Sequence, residues 1–183
     1  MPVSTGYSVV QYFEIDRTDA EIEEWAKTVG SQLQGAPTFG LIFASNECLY
    51  RIREISEILQ IYARIPLLLG CSSNGVIAGD REVENEAGIS ISIYHLPETK
   101  AELIHIPESI FHADAELRPQ LAHHLRDQAD AHSWILFCAS ESVQDESWLA
   151  DWDAVTGQAT TIGGFAGVDP ITLQSTMLSL IHI

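Results

Sequence analysis

The sequence predicts an α/β fold: a mixed sheet from two strand-helix-strand units plus an antiparallel hairpin, with helices packed on the sheet. Three observations predict it. Residues 39–44 (FGLIFA), 65–69 and 134–139 (WILFCA) are near-continuous apolar runs, the pattern of strands buried on both faces. Segments of helical period lie between and after them. Residues 89–94 (ISISIY) alternate strictly, as a half-buried strand in an antiparallel pair does.

In chain order, Ile22, Trp25, Val29 and Leu33 recur at helical spacing, with Asp16 or Thr18 as the cap. Gly35, Ala36 and Pro37 end that helix, and the first buried run follows. Ile52, Ile55, Leu59 and Tyr62 mark a second amphipathic helix. The buried run at 65–69 then enters a turn read at residues 70–75 (GCSSNG). Residues 79–88 are polar and acidic and read as a loop or hairpin connection. The alternating strand comes next, with residues 101–106 expected as its neighbour. Leu117, Leu121 and Leu125 place a third helix over about 114–128, Pro119 being tolerated in the first turn. After the run at 134–139, Trp148, Leu149, Trp152 and Val155 mark a fourth helix. Residues 160–162 lead into a second glycine turn read at 163–167 (GGFAG).

This order contains an internal repeat. Leu41 to Ser45, a helix, and then Gly70-Cys71-Ser72 resemble Leu136 to Ser140, a helix, and then Gly163-Gly164-Phe165. Each copy is a strand-helix-strand unit, which favours parallel pairing within the copy. Residues 1–177 are expected to form one domain, incomplete at its C-terminal end. The last six residues, 178–183 (LSLIHI), are a translation of CTGTCTCTTATACACATC, a transposon-end adapter used in preparing DNA libraries. They are expected to be a non-native tail and are left out of the fold reasoning.

Composition restricts the functions. There are 26 acidic and 9 basic residues, a net charge of -17, so a phosphate polyanion or an anionic bilayer is repelled. No apolar run approaches the ~20 residues that span a bilayer, and residues 1–16 lack the pattern of a signal peptide. Three widely spaced cysteines and no CxxC speak against a disulfide framework or a zinc site, so a reducing cytoplasm is expected.

The chemistry-bearing residues gather at strand ends. Ligands of α/β sheets sit there, because backbone N–H groups point outward without sheet partners. The candidate ligand site is Gly70, Cys71, Ser72, Ser73, Asn74 and Gly75 from one turn and Gly163 and Gly164 from the other. Ser45 and Ser140 join them from the partner strands. The competing reading is that glycine and serine make tight turns and nothing more. The GxxxxG spacing at 70–75 is followed by Val76 where a phosphate loop needs lysine, so nucleotide hydrolysis is not supported. No GxSxG and no GxGxxG is present. Cys71 is the one plausible catalytic thiol, with His95, His105 and His112 as candidate bases that nothing in the sequence brings to it. Cys138 reads as core and Cys48 as the start of a helix. His123 and His124 are adjacent and diverge on a helix, so they do not form a metal pair.

Residues 68–77 (LLGCSSNGVI) resemble the FIST sensor family, the F-box and intracellular signal transduction proteins. That family shows an apolar strand, a GCS(T/S)xG turn and a hairpin with a GVSV-like strand, here residues 67–75 and 88–94. Residues 41–45 with the following helix, residues 135–139, and Ile162-Gly163-Gly164 match its other units, so the resemblance covers nearly all of 20–170. It implies a sensory role, an amino acid or similar small metabolite as ligand, and a second, C-terminal FIST domain in the parent protein. It carries over no catalytic residues and no cofactor. The expected function is a non-catalytic small-ligand-binding sensory domain in intracellular signalling. Its expected partners are a small molecule and the C-terminal FIST domain, with no nucleic acid and no membrane. A hydrolase using Cys71 or Ser72 and a protein-interaction scaffold are the alternatives.

Overall fold

The computed structural model describes residues 6–84, 86–110, 117–128, 130–139, 147–157, 159–169 and 176–181. Their elements are β1 (Ser8–Glu14), α1 (Asp19–Gln32), β2 (Phe39–Ala44), α2 (Ile52–Ile58), β3 (Leu67–Ser72), β4 (Gly75–Ala78), β5 (Arg81–Glu84), β6 (Gly88–Tyr94), α3 (Leu117–His124), β7 (Ser133–Cys138), α4 (Trp148–Thr156), β8 (Thr160–Phe165) and β9 (Met177–Ile181). They form two compact units, Met1–Leu103 with Gly167–Ile183, and Ile104–Ala166.

The first unit is a mixed five-stranded sheet in the order β1-β6-β2-β3-β9. β2 and β3 are parallel and the other pairings are antiparallel. The parallel step is the first strand-helix-strand unit expected from the sequence; its crossover runs through a 3-10 turn, α2 and a π turn that ends at Arg64 in the left-handed region. Thr18 caps α1 as expected, in a reciprocal capping box with Glu21. Thr18 N–H and hydroxyl, together with Arg17, hold the Glu21 carboxyl at about 2, well below its ordinary value. The core lies on the helix side of the sheet. Ile22, Ala26 and Val29 of α1 and Ile52 and Ile55 of α2 pack there on Ile42, Leu68, Ile89, Ile91 and Ile93.

The second unit repeats the parallel step as β7, α4 and β8. Trp148 and Trp152 are buried in its core with Leu125, and Trp152 stacks edge-on against Trp134 at 5.4 Å. Trp152 Nε1 donates to Thr161 Oγ1 at 3.0 Å. α3 is shorter than expected, giving way to a 3-10 turn at Arg126–Gln128; residues 114–116 of the expected helix lie outside the described ones.

Three expectations are corrected. β6 is not a half-buried strand paired with 101–106, a segment that forms no strand. It lies between β1 and β2, and both its faces are covered: Ser90 is 1% and Ser92 8% exposed. Serine side chains are small enough to be buried there, so the alternation reports two kinds of buried face. Gly70, Cys71 and Ser72 belong to β3, and Gly163 and Gly164 to β8. The turns themselves begin only after Ser72 and after Phe165. The reason is a close approach repeated in both copies. A Cβ on Gly70 would lie 1.7 Å from the carbonyl oxygen of Ile42, its partner in β2, and one on Gly163 1.7 Å from that of Leu136 in β7. Glycine is there for strand packing, not for a bend.

β9 pairs antiparallel with β3, Cys71 opposite Met177 and Leu67 opposite Ile181, so residues 178–181 act as an edge strand.

The two glycine types separate by mutation. Gly70→Ala is expected to cost ~3 kcal/mol or more, since backbone must move to admit the methyl group. Gly164→Ala, with nothing within 4 Å of its Cβ, is expected to be close to neutral. Chemical denaturation of both variants checks this; equal stabilities would refute the close approach.

Candidate functional site

The parallel strands β2 and β3 end side by side. The ladder is extended by one rung past Ser72, where Ser73 N–H donates to Ala44 O at 2.8 Å. Beyond that rung the chains diverge and a cleft opens. Ser45 forms one wall and is locked to the start of β6: its N–H donates to Gly88 O at 3.0 Å, and its Oγ accepts from Gly88 N–H at 3.2 Å. Ser73, Asn74 and Gly75 form the opposite wall. Ser73 Oγ donates to Gly75 O and lies 3.4 Å from Gly75 N, a serine turn that fixes the step from β3 into β4. Val76 and Val83 line the cleft from the β4–β5 hairpin, and Glu86 and Gly88 from the entry to β6. The cleft is partly open to solvent and offers about 10 Å³, room for one water-sized group.

The hairpin turns at Gly79, whose φ of 65° favours glycine. It is fastened by Arg81, which lies 4.7 Å above the Tyr12 ring and pairs with Glu14 at 3.7 Å and Glu86 at 3.5 Å. The Tyr12 hydroxyl reaches over Gly88, where a Cβ would collide with it. Glycine at 88 therefore leaves room for Tyr12 on one face and hydrogen-bonds Ser45 through its backbone.

Beneath the cleft, Ser72 is fully buried and its hydrogen bonds are all used within the fold. Its Oγ donates to Gly167 O at 2.6 Å and accepts from Thr176 N–H at 2.9 Å. Its backbone N–H donates to Thr176 O at 2.8 Å, and its carbonyl accepts from Gly167 N–H at 2.6 Å. Gly167 is pressed so close to Asn74 N that a Cβ would stand 2.7 Å away. Cys71 is 3% exposed, and burial pushes its thiol up to about 11. Burial also raises Cys48 and Cys138. A thiolate nucleophile needs the opposite shift, and a nucleophilic serine needs a base on its hydroxyl rather than a carbonyl. The hydrolase alternative therefore loses the geometry both its candidates require.

Of the residues expected in the site, Ser45, Ser73, Asn74 and Gly75 share the cleft. Gly70, Cys71 and Ser72 lie below it in β3. Gly163 and Gly164 sit in β8 of the second unit, and Ser140 lies outside the described residues. Sequence reasoning missed Val76, Val83, Glu86 and Gly88 in the cleft. The one signal for them was the glycine before the alternating strand.

A larger hollow of about 360 Å³ in the second unit is lined by Ile110, Pro119, Gln120, His123 and His124. Its His124 Nε2 is already bonded to His105 O at 2.8 Å. This hollow gathers none of the residues expected in the site, whereas the first cleft gathers Ser45, Ser73, Asn74 and Gly75. Among the described residues no group of three His, Cys, Asp or Glu is arranged to hold a metal, and no helix is long and apolar enough to cross a membrane.

The chain matches the FIST N domain family over residues 38–180 and belongs to it. No curated protein and no solved structure gave a significant match. FIST domains are signal-transduction sensor domains. The match opens at β2 and closes within β9, so it takes in both parallel steps, while β1 and α1 precede it.

Two measurements bear on the floor of the cleft. Ser72→Ala is expected to cost about 2 kcal/mol, because Gly167 O and Thr176 N–H are left without their partner. The raised Cys71 thiol adds stability that is fully present below its ordinary 9 and is lost as pH rises through about 11. A thiol reagent at pH 8 should therefore modify Cys71 only after denaturant is added; rapid labelling of the native chain would contradict this.

Proposed function

We propose that the chain is a non-catalytic sensory domain that binds a small metabolite in the cleft at the ends of β2 and β3. The observation that carries the reading is the convergence of Ser45, Ser73, Asn74 and Gly75 on one space at the carboxyl ends of two parallel strands. Membership of a sensor family supports the same class of function. An amino acid is far larger than the cleft as it stands, so binding requires the β4–β5 hairpin to lift. The hairpin is held by one buried valine, Val83, by Ala78 and by the Arg81 contacts. Such a small attachment is easily moved, and its movement is the output a sensor needs.

Ser72 supports the reading as the residue that holds Gly167 beneath the cleft. Gly70 supports it by letting β2 and β3 approach so closely. In the second unit Gly163 repeats the place of Gly70 against its partner strand, and the sequence repeat extends the proposal to Gly164 and Ser140. The C-terminal FIST domain of the parent protein and a cytoplasmic setting belong to the same proposal.

The test is a thermal-shift screen of the chain against amino acids and other small metabolites. A true ligand at 100 times its Kd should add about 2.7 kcal/mol of stability. Asn74→Ala and Gly75→Ala should remove that gain while circular dichroism is unchanged. The Gly75 methyl meets nothing nearer than 3.4 Å, so the fold admits it. A library without a single stabilising compound, or a hit indifferent to both substitutions, would rule the cleft out.

A further inference from the structure

We infer that the outer edge of β8 is a docking site for an extended, basic segment of a partner protein, which adds to it as an antiparallel strand. β8 (TTIGGF) lacks the usual devices that blunt an edge strand, for it holds no charged residue and no proline. All six of its residues are exposed, Ile162 at 61% and Phe165 at 58%. Exposure at Gly163 and Gly164 is exposure of backbone, since neither carries a side chain. Among the described residues β7 is its one strand partner. Parallel pairs are ordinarily buried, and this one stands in solvent along β8.

The backbone of that edge is aimed outward. Ala166 N–H donates to Cys138 O at 2.8 Å, so Ala166 turns its backbone groups toward β7. Strand alternation then turns the N–H and C=O groups of Thr161, Gly163 and Phe165 to the other side.

The internal repeat shows what fits there. Gly163 holds in β8 the place that Gly70 holds in β3, each with its Cβ position 1.7 Å from a carbonyl oxygen of the preceding parallel strand. The outer edge of β3 is occupied: β9 pairs with it antiparallel, Leu178 opposite Gly70 and Met177 opposite Cys71. β8 offers the same parallel step and the same glycine, and no such strand lies on it among the described residues.

Charge selects the partner. Residues 133–167, which span β7, α4 and β8, contain no lysine or arginine. They contain Glu141, Asp145, Glu146 and Asp153, besides Asp151, which is paired with Arg118. A second copy of a chain of net charge -17 is repelled, and a strand with lysine or arginine beside its apolar residues is attracted. Main-chain hydrogen bonds supply the docking, and Ile162 and Phe165 supply apolar contact.

The experiment titrates the intact chain with a peptide of alternating valine and lysine and follows the protein amides by NMR. One control peptide has glutamate in place of lysine. A second is N-methylated at every residue, which keeps the charge and the apolar groups and removes the backbone donors. The lysine peptide should shift Thr161, Gly163 and Phe165 and slow their hydrogen exchange about tenfold. The glutamate peptide should not bind, and N-methylation should weaken binding about tenfold. A spin label at the N-terminus of the lysine peptide should broaden Phe165 and spare Thr160, as antiparallel pairing requires. Ile162→Lys sets a like charge at an exposed position and should weaken that peptide about tenfold with circular dichroism unchanged, whereas Ile162→Val should not. Equal binding of the N-methylated peptide, shifts lying away from β8, or the reverse broadening pattern overturns the inference. So does a dimer of the chain alone that strengthens with salt and is lost in Ile162→Lys, which would assign the edge to a second copy.

Discussion

The close approach of β3 to β2 at Gly70 is the constraint on which the rest of the first unit depends. Any side chain at that position would occupy the space of the Ile42 carbonyl. With glycine there, the two parallel strands run in register to Ala44 and Ser72 and stop together. Their common end places Ser45 opposite Ser73 and so creates the cleft. The same device recurs at Gly163 against Leu136 in the second unit, which ties the internal repeat to a shared packing requirement and not to chance similarity of composition.

Ser72 carries that constraint onward along the chain. It stands at the end of β3, and its side chain and backbone together fasten Gly167 and Thr176. Gly167 is the residue at which the chain re-enters the first unit, and Thr176 immediately precedes β9. One buried hydroxyl therefore anchors both the re-entering chain and the strand that covers the β3 edge. A sensor needs a fixed floor below and a movable cover above. Ser72 supplies the first, and the proposed binding requires the Arg81-held hairpin to serve as the second.

Much of this was legible in the sequence. The buried runs around Phe43, Leu68 and Leu136 gave β2, β3 and β7, and the helical period of Ile22, Val29, Ile52 and Ile55 gave α1 and α2. Thr18 was one of the two cap candidates, beside Asp16; its reciprocal partner Glu21 came from the structure. The positions that were not legible have physical causes. β1 (SVVQYFE) mixes exposed and buried residues on a strand whose one partner is distant in sequence, so no local signal marks it. The serines of β6 read as solvent-facing, although burial on both faces makes it an interior strand. A glycine in a sequence does not say whether it bends the chain or admits a neighbour, and Gly70 does the second. Half of the cleft comes from the hairpin and from Gly88, whose contribution depends on tertiary contact with Tyr12 and Ser45.

The measurement that tests the central claim most directly is residue-resolved NMR of the chain titrated with the compound that gives the greatest thermal stabilisation. The account predicts that the amides of Ser45, Ser73, Asn74, Gly75 and Gly88 shift first and by most, followed by those of β4 and β5. Shifts centred instead on His123 and His124 in α3, with the β2 and β3 ends silent, would contradict it.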